Sequence, residues 1–166
     1  MGSVVNTDNV PQSETSVVHG VPMYDLIIIG GGPGGVAAGV YAARKKIKTL
    51  LITESFGGQS LVSADVQNWI GTKSVSGFDL GQMFETHLRA QEGIEIVSPD
   101  RVTAVTALPR GGFHITTEEG KSFEAKFLLL TSGSRRRKLG IPGEQELDGR
   151  GVAYCSTCDA PLFSGK

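Results

Sequence analysis

The stretch "YDLIIIGGGPGGVAAGVYAARKKIKTLLITES", residues 24–55, decides the fold. Its first part, residues 24–29, is a mainly apolar run of the kind that forms a parallel strand buried on both faces. Residues 36–46 are rich in alanine and end in basic side chains, which is typical of the C-terminal turn of a helix. A second apolar run follows at residues 49–53. The order strand, helix, strand predicts a βαβ unit of an α/β fold.

A glycine cluster separates the predicted strand from the helix, and Gly30, Gly32 and Gly35 within it fit the pattern GxGxxG. In a dinucleotide-binding turn the first glycine makes the sharp bend, the second lets a pyrophosphate approach the backbone, and the third lets the helix pack closely on the sheet. The helix N-terminus then offers free amides and partial positive charge to the phosphates. A purely structural glycine turn is the alternative, and the strand and helix on either side favour dinucleotide binding over it.

Three polar side chains after the glycine cluster are candidates for contacts with a dinucleotide. Glu54 ends the second predicted strand, near the expected position ~20 residues on, where an acid can bind a ribose hydroxyl. An acid there fits NAD or FAD and disfavours a 2′-phosphate. The carboxamides of Gln59 and Asn68 could contact a flavin ring or its ribityl chain, because they both donate and accept hydrogen bonds. Such side chains are also common in turns, so the residues alone leave this role open.

The middle of the chain predicts scaffold elements around the βαβ unit. Residues 76–98 predict a helix followed by a short strand. Residues 101–131 predict alternating strands joined by two turns, which is an antiparallel meander. Thr131 and Gly133 follow its last strand, at the carboxyl end where open α/β sheets bind ligands. The basic run at residues 135–138 predicts a solvated loop.

Length and composition indicate one globular domain that can bury a core. The chain has 166 residues, of which 23 are glycine, and a net charge of −1. This charge gives no reason to expect nucleic acid or an anionic membrane as a partner, and no apolar stretch approaches the roughly 20 residues of a membrane span. Residues 1–22 are polar and lack the features of a signal peptide. They predict a flexible tail, and the chain is expected to be cytoplasmic.

Both cysteines of the chain stand in one CxxC motif, Cys155 and Cys158, which Asp159 follows directly. A CxxC motif near a βαβ unit in a cytosolic chain indicates redox chemistry. A zinc site would need four ligands, and the sequence offers neither a second CxxC nor a pair of histidines, so no metal site is expected. A structural disulfide is disfavoured in a reducing compartment. The carboxylate of Asp159 could exchange a proton with either thiol.

Several motifs in this order resemble a known family: "YDLIIIGGGPGGVAAGVYAARK", "GGQ", "VQNWIG", "LLLTSGSRRRKLGIPGE" and "YCSTCDAPLF". Together they are similar to the first half of thioredoxin reductases of the low-molecular-weight type, which are FAD- and NAD(P)-dependent pyridine nucleotide-disulfide oxidoreductases. The resemblance covers residues 23–166. It implies a Rossmann-like FAD/NAD(P)-binding α/β fold of three layers, with a parallel sheet and an antiparallel β-meander. It also implies an FAD-binding segment at residues 23–150 and the truncated start of an NADPH-binding insert, carrying the CxxC motif, at residues 151–166.

The resemblance implies a role for each candidate residue. The implied cofactor-binding positions are Gly30, Gly31, Gly32, Pro33, Gly34 and Gly35 at the FAD pyrophosphate, Glu54 at the adenosine ribose, Gln59 and Asn68 at the flavin half, Val102 at the adenine, and Thr131 and Gly133 close to FAD. Cys158 would face the flavin and accept its electrons. Cys155 would exchange with the substrate disulfide, and Asp159 would be the acid or base.

The activity that the resemblance implies is that of an FAD-dependent thioredoxin-disulfide reductase. Such an enzyme passes electrons from NADPH through FAD and the cysteine pair to a protein disulfide. The expected partner is thioredoxin or a similar small redox protein, and the full-length relatives are homodimers. The chain is expected to be an N-terminal fragment that lacks the NADPH site. Two alternatives stay open: a flavin-dependent dithiol oxidase or ferredoxin-linked disulfide reductase, and a non-catalytic flavin-binding half of a split protein.

Overall fold

The computed structural model describes residues 20–135, 137–148, 150–154 and 164–165. The elements follow in chain order as β1 (Met23–Gly31), α1 (Pro33–Arg44), β2 (Thr49–Phe56), a 3-10 helix (Gly58–Val62), α2 (Gly77–Arg89), β3 (Ile94–Val97), β4 (Val102–Ala107), β5 (Phe113–Thr117) and β6 (Ser122–Leu130). The strands form one sheet in the order β3-β2-β1-β6-β5-β4. The first four pair in parallel, and β6, β5 and β4 pair antiparallel, which confirms the predicted meander. The boundaries of the predicted tail and of the predicted insert remain predictions.

β1 lies in the centre of the sheet, which confirms the buried parallel strand predicted at residues 24–29. Ile27 and Ile28 point to opposite faces of the sheet, and both are 0% exposed. On its two edges β1 pairs with β2 and β6, so that Ile28 stands between Leu51 and Leu129. β2 continues as far as Phe56, and Glu54 therefore lies inside this strand instead of at its end.

Two apolar clusters on opposite faces of the sheet confirm the predicted three layers. The cluster between sheet and helices consists of Ile28, Val36, Val40, Leu51, Phe56, Leu80, Phe84 and Leu88. The cluster between the parallel strands and the meander consists of Tyr24, Ile27, Leu50, Ile52, Ile115, Phe123 and Ala125. Leu50 and Leu51 belong to different clusters because successive side chains of a strand point to opposite faces. The parallel strands and the meander share β6, which pairs with β1 and with β5, and helices, parallel strands and meander form the three layers.

Both α-helices begin at residues that suit a helix N-terminus. α1 starts at Pro33, three residues before the predicted start at residue 36. Proline is favoured at the first helical position, because its φ is already helical and its missing N–H needs no partner there. At the start of α2, the hydroxyl oxygen of Ser76 accepts a hydrogen bond from the backbone N–H of Asp79 at 3.0 Å. Neither these helices nor any other in the described ranges has the length and apolarity needed to cross a membrane.

β6 changes partners along its length. Residues 122–125 pair with β5, and residues 124–130 pair with β1. Beyond residue 125, one edge of β6 has no strand beside it in the described part of the chain. The side chains of Phe127 and Leu130 in this segment are 69% and 64% exposed. β6 therefore ends as an open strand edge with exposed apolar side chains.

Candidate functional site

A cleft of about 770 Å³ opens at the carboxyl ends of β1, β2 and β6. These parallel strands end at the same edge of the sheet, which is where α/β folds bind their ligands. The cleft is lined by Ile29, Gly30, Gly31, Gly32, Pro33, Gly34, Ile52, Thr53, Glu54, Ser55, Gly58, Gln59, Asp100, Arg101, Val102, Thr131, Ser132, Gly133, Ser134 and Arg135. All predicted cofactor-binding residues are among them except Gly35 and Asn68.

In the glycine turn between β1 and α1, other atoms lie so close to Gly30 and Gly35 that neither position has room for a side chain. Gly30 has a φ of +116°, and a Cβ there would overlap the carbonyl oxygen of Thr131. A Cβ on Gly35 would overlap the carbonyl oxygen of Gly30 and lie 2.7 Å from the hydroxyl oxygen of Thr131. At Gly32 the nearest atom to a Cβ would be the Cα of Gly58, 3.9 Å away. The backbone is therefore tightly packed beneath the turn and open on its cleft side.

Thr131 fastens the end of β6 to the end of β1. Its backbone N–H donates a hydrogen bond to the Ile29 carbonyl oxygen at 2.9 Å. Its hydroxyl donates to the carbonyl oxygens of Ile29 at 2.9 Å and of Gly30 at 3.1 Å. The sequence predicts Thr131 close to the cofactor, and the structure places it on the cleft wall with its hydroxyl bonded to the glycine turn. Thr131 therefore holds the turn in place.

Glu54 lines the cleft, where its carboxylate accepts a hydrogen bond from the guanidinium of Arg135. The basic run at residues 135–138 predicts only a solvated loop, and its pattern does not mark this arginine as a site residue. The loop does expose Arg135, whose side chain is 73% accessible, but it also follows β6 to the same sheet edge as Glu54. Ion pairs between exposed side chains contribute about 0–1 kcal/mol to stability. A ribose hydroxyl could therefore replace Arg135 at Glu54 at little cost.

The two predicted carboxamides lie at different places. The side-chain amide of Gln59 donates a hydrogen bond to the Ser134 carbonyl oxygen, and both residues line the cleft. Asn68 lies beside a separate hollow of about 360 Å³ formed by residues 67–73. The structure therefore brings Gln59, but not Asn68, to the cleft that holds the other candidates.

One wall of the cleft is the connection between β3 and β4 at residues 100–102. Asp100 is buried there, and its backbone N–H donates a hydrogen bond to the Thr53 carbonyl oxygen at 3.0 Å. Its carboxylate accepts hydrogen bonds from the backbone N–H groups of Arg101 at 2.8 Å and Glu119 at 3.3 Å. Val102, the predicted adenine neighbour, follows directly. No sequence motif predicts the role of Asp100, because one of its hydrogen-bond donors, Glu119, comes from a distant turn.

The predicted redox residues Cys155, Cys158 and Asp159 lie outside the described residues, so their roles remain predictions. Within the part of the chain that is described, no group of three or more His, Cys, Asp or Glu side chains could hold a metal ion. The candidate functional groups that the structure describes are mainly those that line the cleft.

The cleft fits the phosphate and sugar groups of a dinucleotide. Its volume lies within the range of small-molecule sites, roughly 300–1,000 Å³. The first amides of α1 have no intrahelical partners and carry partial positive charge, and they meet the cleft where Gly32 leaves space for an anion. Glu54 supplies an acceptor for hydroxyl groups a short distance along the same edge. These residues can therefore hold a pyrophosphate and the ribose next to it.

Comparison with known proteins relates the whole described domain to one family. The family model described as "Pyridine nucleotide-disulphide oxidoreductase" matches residues 24–165. An alkyl hydroperoxide reductase subunit of Pseudomonas putida is 39% identical over 95% of this chain, and NADH dehydrogenase of Bacillus subtilis is 37% identical over 86%. The chain spans 30% and 28% of the lengths of these two relatives.

Solved structures of thioredoxin reductases share the fold. The thioredoxin reductase of T. acidophilum aligns with a TM-score of 0.67 at 34% identity, and that of Streptococcus pyogenes MGAS5005 with a TM-score of 0.73 at 33% identity. The alignments cover 87% and 84% of this chain but only 46% and 45% of the solved chains. They confirm the Rossmann-like fold that the motifs predict. The glycine turn, the sheet order and the matches over nearly all of the chain agree, and the chain belongs to the pyridine nucleotide-disulphide oxidoreductase family.

Proposed function

We propose that this chain supplies the FAD-binding cleft and the redox cysteine pair of an NADPH-dependent disulfide reductase of the thioredoxin reductase type. The observation that carries the proposal is the glycine turn, which excludes side chains beneath it and leaves open space on its cleft side, at the N-terminus of α1. Glu54 and Val102 line the same cleft, as the ribose and adenine of a bound FAD require.

The residues of the cleft would each hold one part of FAD. The backbone of residues 30–35 would bind the pyrophosphate, and the N-terminus of α1 would complement its charge. Glu54 would accept hydrogen bonds from the adenosine ribose, and Val102 would lie against the adenine. Gln59 would contact the flavin half of the cofactor in the cleft. Asn68 would contact it where the flavin extends beyond the cleft toward the separate hollow of residues 67–73. Thr131, and Gly133 two residues on, would close the cleft at the end of β6.

The chemistry proposed for the cysteine pair is thiol–disulfide exchange. The thiolate of Cys155 attacks one sulfur of the partner disulfide, which forms a mixed disulfide and releases one partner thiolate. Cys158 then attacks the sulfur of Cys155, so that the partner leaves as a dithiol and the pair closes to a disulfide. Asp159 takes up and returns the protons of these steps. Bound FAD, once reduced by NADPH, would supply the two electrons that restore the dithiol.

The proposed partner is thioredoxin or a similar small redox protein, because the solved neighbours at more than 30% identity are thioredoxin reductases. A second candidate is electron delivery within an alkyl hydroperoxide reductase, which the 39% and 42% identities to the matching reductase subunits of two Pseudomonas species favour. Either reaction needs thiols kept reduced, so the proposed location is the cytoplasm. The proposed assembly of the longer enzyme is a homodimer.

Cofactor retention by the 166-residue chain tests the proposal. After incubation with FAD and desalting, the protein should keep a flavin absorption band near ~450 nm. The matched control is Gly32→Val, because φ is −74° and ψ −177° at Gly32, which valine adopts, and the nearest atom to a new Cβ would be 3.9 Å away. This variant should fold and unfold like the wild type but elute without colour. A folded wild-type chain that elutes colourless would contradict the proposal.

A further inference from the structure

Asp100 is the buried acid of the cleft wall. Its side chain is 0% exposed, in the connection between β3 and β4. Arg101 and Val102, which follow it, line the cleft beside it. Burying a carboxylate is costly unless hydrogen bonds and opposite charges satisfy it. The hydrogen-bond donors and positive charges around Asp100 must therefore compensate the cost of burying its carboxylate.

The carboxylate of Asp100 and the backbone around it tie three segments together. Oδ1 accepts the backbone N–H groups of Arg101 at 2.8 Å and Glu119 at 3.3 Å, the latter from the turn between β5 and β6. The carbonyl oxygen of Arg101 accepts the backbone N–H of Glu118 at 2.8 Å. The backbone N–H of Asp100 itself donates to Thr53 of β2. The peptide groups on both sides of Arg101 are therefore fixed by hydrogen bonds.

The second carboxylate oxygen, Oδ2, lies near a positive charge. It accepts no hydrogen bond from the described residues and lies 3.7 Å from the Nζ of Lys121. Burial raises the pKa of Asp100. The neighbouring Thr117 hydroxyl, the two backbone N–H groups and the Lys121 charge together lower it by more, so the net pKa lies below its usual value. Asp100 is therefore ionised at neutral pH, and hydrogen bonds to an ionised acceptor are stronger than neutral ones.

We propose that Asp100 is a positioning residue for the adenine of the bound dinucleotide, because its Oδ1 holds the backbone N–H of Arg101, next to Val102, where that backbone forms the cleft wall. The inference rests on the proposed function, in which Val102 lies against the adenine. The glycine turn belongs to a different segment and is held by Thr131. Loss of the Asp100 carboxylate should therefore weaken recognition of adenosine and leave recognition of phosphate unchanged.

Binding of ADP and of inorganic pyrophosphate to the 166-residue chain separates these two effects. Both probes carry a diphosphate, and only ADP carries adenosine. Asp100→Ala should weaken ADP binding roughly tenfold and change pyrophosphate binding by less than about twofold. Asp100→Asn keeps an oxygen acceptor for the two amides and should restore most of the ADP affinity. The control is Glu85→Ala, which removes an exposed ion pair with Arg89 on α2, outside the cleft lining, and should leave both affinities unchanged.

The outcomes separate the inference from the proposed function. Unchanged ADP affinity in Asp100→Ala overturns the inference, and so does an equal loss of ADP and pyrophosphate binding, which would indicate general destabilisation. A wild-type chain that binds neither ADP nor FAD overturns both the proposed function and the inference. A chain that binds ADP in an Asp100-dependent way but retains no FAD supports the inference and counts against the FAD assignment.

A measurement on the wild-type chain keeps the inference testable if Asp100→Ala does not fold. ADP should shift the backbone amide NMR signals of Arg101, Val102 and Glu119, and inorganic pyrophosphate should leave them in place. Shifts of equal size with both probes, or no shift with ADP, would overturn the inference.

Discussion

The hydroxyl of Thr131 and the Cα of Gly35 share one tightly packed space beneath the glycine turn. A Cβ added to Gly35 would lie 2.7 Å from Oγ1 of Thr131 and would overlap the carbonyl oxygen of Gly30. The contact joins the end of β6, the end of β1 and the first turn of α1. Stability of the domain and binding at the cleft should therefore be lost together when this contact is disturbed.

Gly35→Ala should destabilise the domain by about 1–3 kcal/mol, because the new methyl group meets backbone that cannot move freely. Gly34→Ala is the matched control one residue earlier, where the nearest atom to a new Cβ would be 3.8 Å away. Because alanine favours a helix over glycine, this control should be neutral or more stable by up to about 1 kcal/mol. Urea unfolding measures both free energies. Equal stabilities of the two variants would contradict the packing argument.

Thr131→Val should destabilise the domain by about 1–2 kcal/mol, because it removes the hydroxyl donor to the Ile29 and Gly30 carbonyl oxygens while keeping the side-chain shape. Thr131→Ser keeps the hydroxyl and should lose less. Urea unfolding and FAD retention are measured on the same preparations. We expect the two quantities to fall in the same order, and a valine variant as stable as the wild type would show that the hydroxyl does not hold the turn.

Arg135→Gln should change the free energy of unfolding by less than about 1 kcal/mol, because the ion pair with Glu54 is exposed. It should also strengthen ADP binding, since Glu54 no longer has a competing partner. Glu54→Gln should weaken ADP binding, because a charged acceptor for the ribose is lost. Calorimetric titration at low and high salt measures these affinities. Weaker ADP binding by Arg135→Gln would instead show that this arginine contacts the phosphates.

The stability of the domain should fall at alkaline pH because of Tyr24. Burial, with the hydrogen bond and charge of Glu95, raises the pKa of Tyr24 to about 12. The native state therefore binds more protons than the unfolded state between the unfolded pKa of about 10 and the native one, so this contribution is complete below pH ~10 and is lost as pH rises toward 12.

Tyr24→Phe tests this pH dependence, because it keeps the ring and removes the titrating hydroxyl. Unfolding free energies of both proteins at about pH 8 and about pH 11 should show a smaller alkaline loss in the variant, by about 1 kcal/mol. Other groups that titrate in this range are common to both proteins and cancel in the comparison. Parallel losses would refute the assignment to Tyr24.

Replacing Cys155 and Cys158 one at a time should have different effects, because the two thiols are proposed to have different roles. If Cys155 exchanges with the partner and Cys158 resolves the mixed disulfide, Cys158→Ser should accumulate a covalent complex with oxidised thioredoxin. Cys155→Ser should form far less of it. Non-reducing gels and intact mass measure the complex. Accumulation in the Cys155→Ser variant instead would reverse the two roles.

Local sequence patterns predict which strands and helices form in this fold. They predict the first and last residues of those strands and helices less reliably. The apolar runs of β1 and β2 predict buried strands, because a parallel strand covered on both faces must be apolar along its length. The predicted start of α1, residue 36, is three residues later than the observed start at Pro33. Pro33 stands within the glycine cluster in the sequence, although proline is also favoured as the first residue of a helix. β2 likewise extends past Glu54 to Phe56.

The parts of the candidate site that the sequence does not predict depend on contacts between distant segments. Arg135 meets Glu54 only because the loop after β6 reaches the same edge as β2. Asp100 accepts a hydrogen bond from Glu119, 19 residues away, only because the meander folds back. No local pattern marks either residue. The CxxC motif is the opposite case, since its pattern is distinctive but it lies outside the described residues.

The open edge of β6 affects how the chain behaves in concentrated solution. A strand with unpaired N–H and C=O groups beside exposed apolar side chains is a template on which strands of other molecules can add, as in cross-β aggregation. Phe127 and Leu130 supply the apolar surface. Lys126 is the one charge among residues 126–130, and its Nζ lies 2.7 Å from a carboxylate oxygen of Asp25, which partly neutralises it. This edge is therefore where, among the described residues, strand addition between molecules is expected to begin as the protein concentration rises.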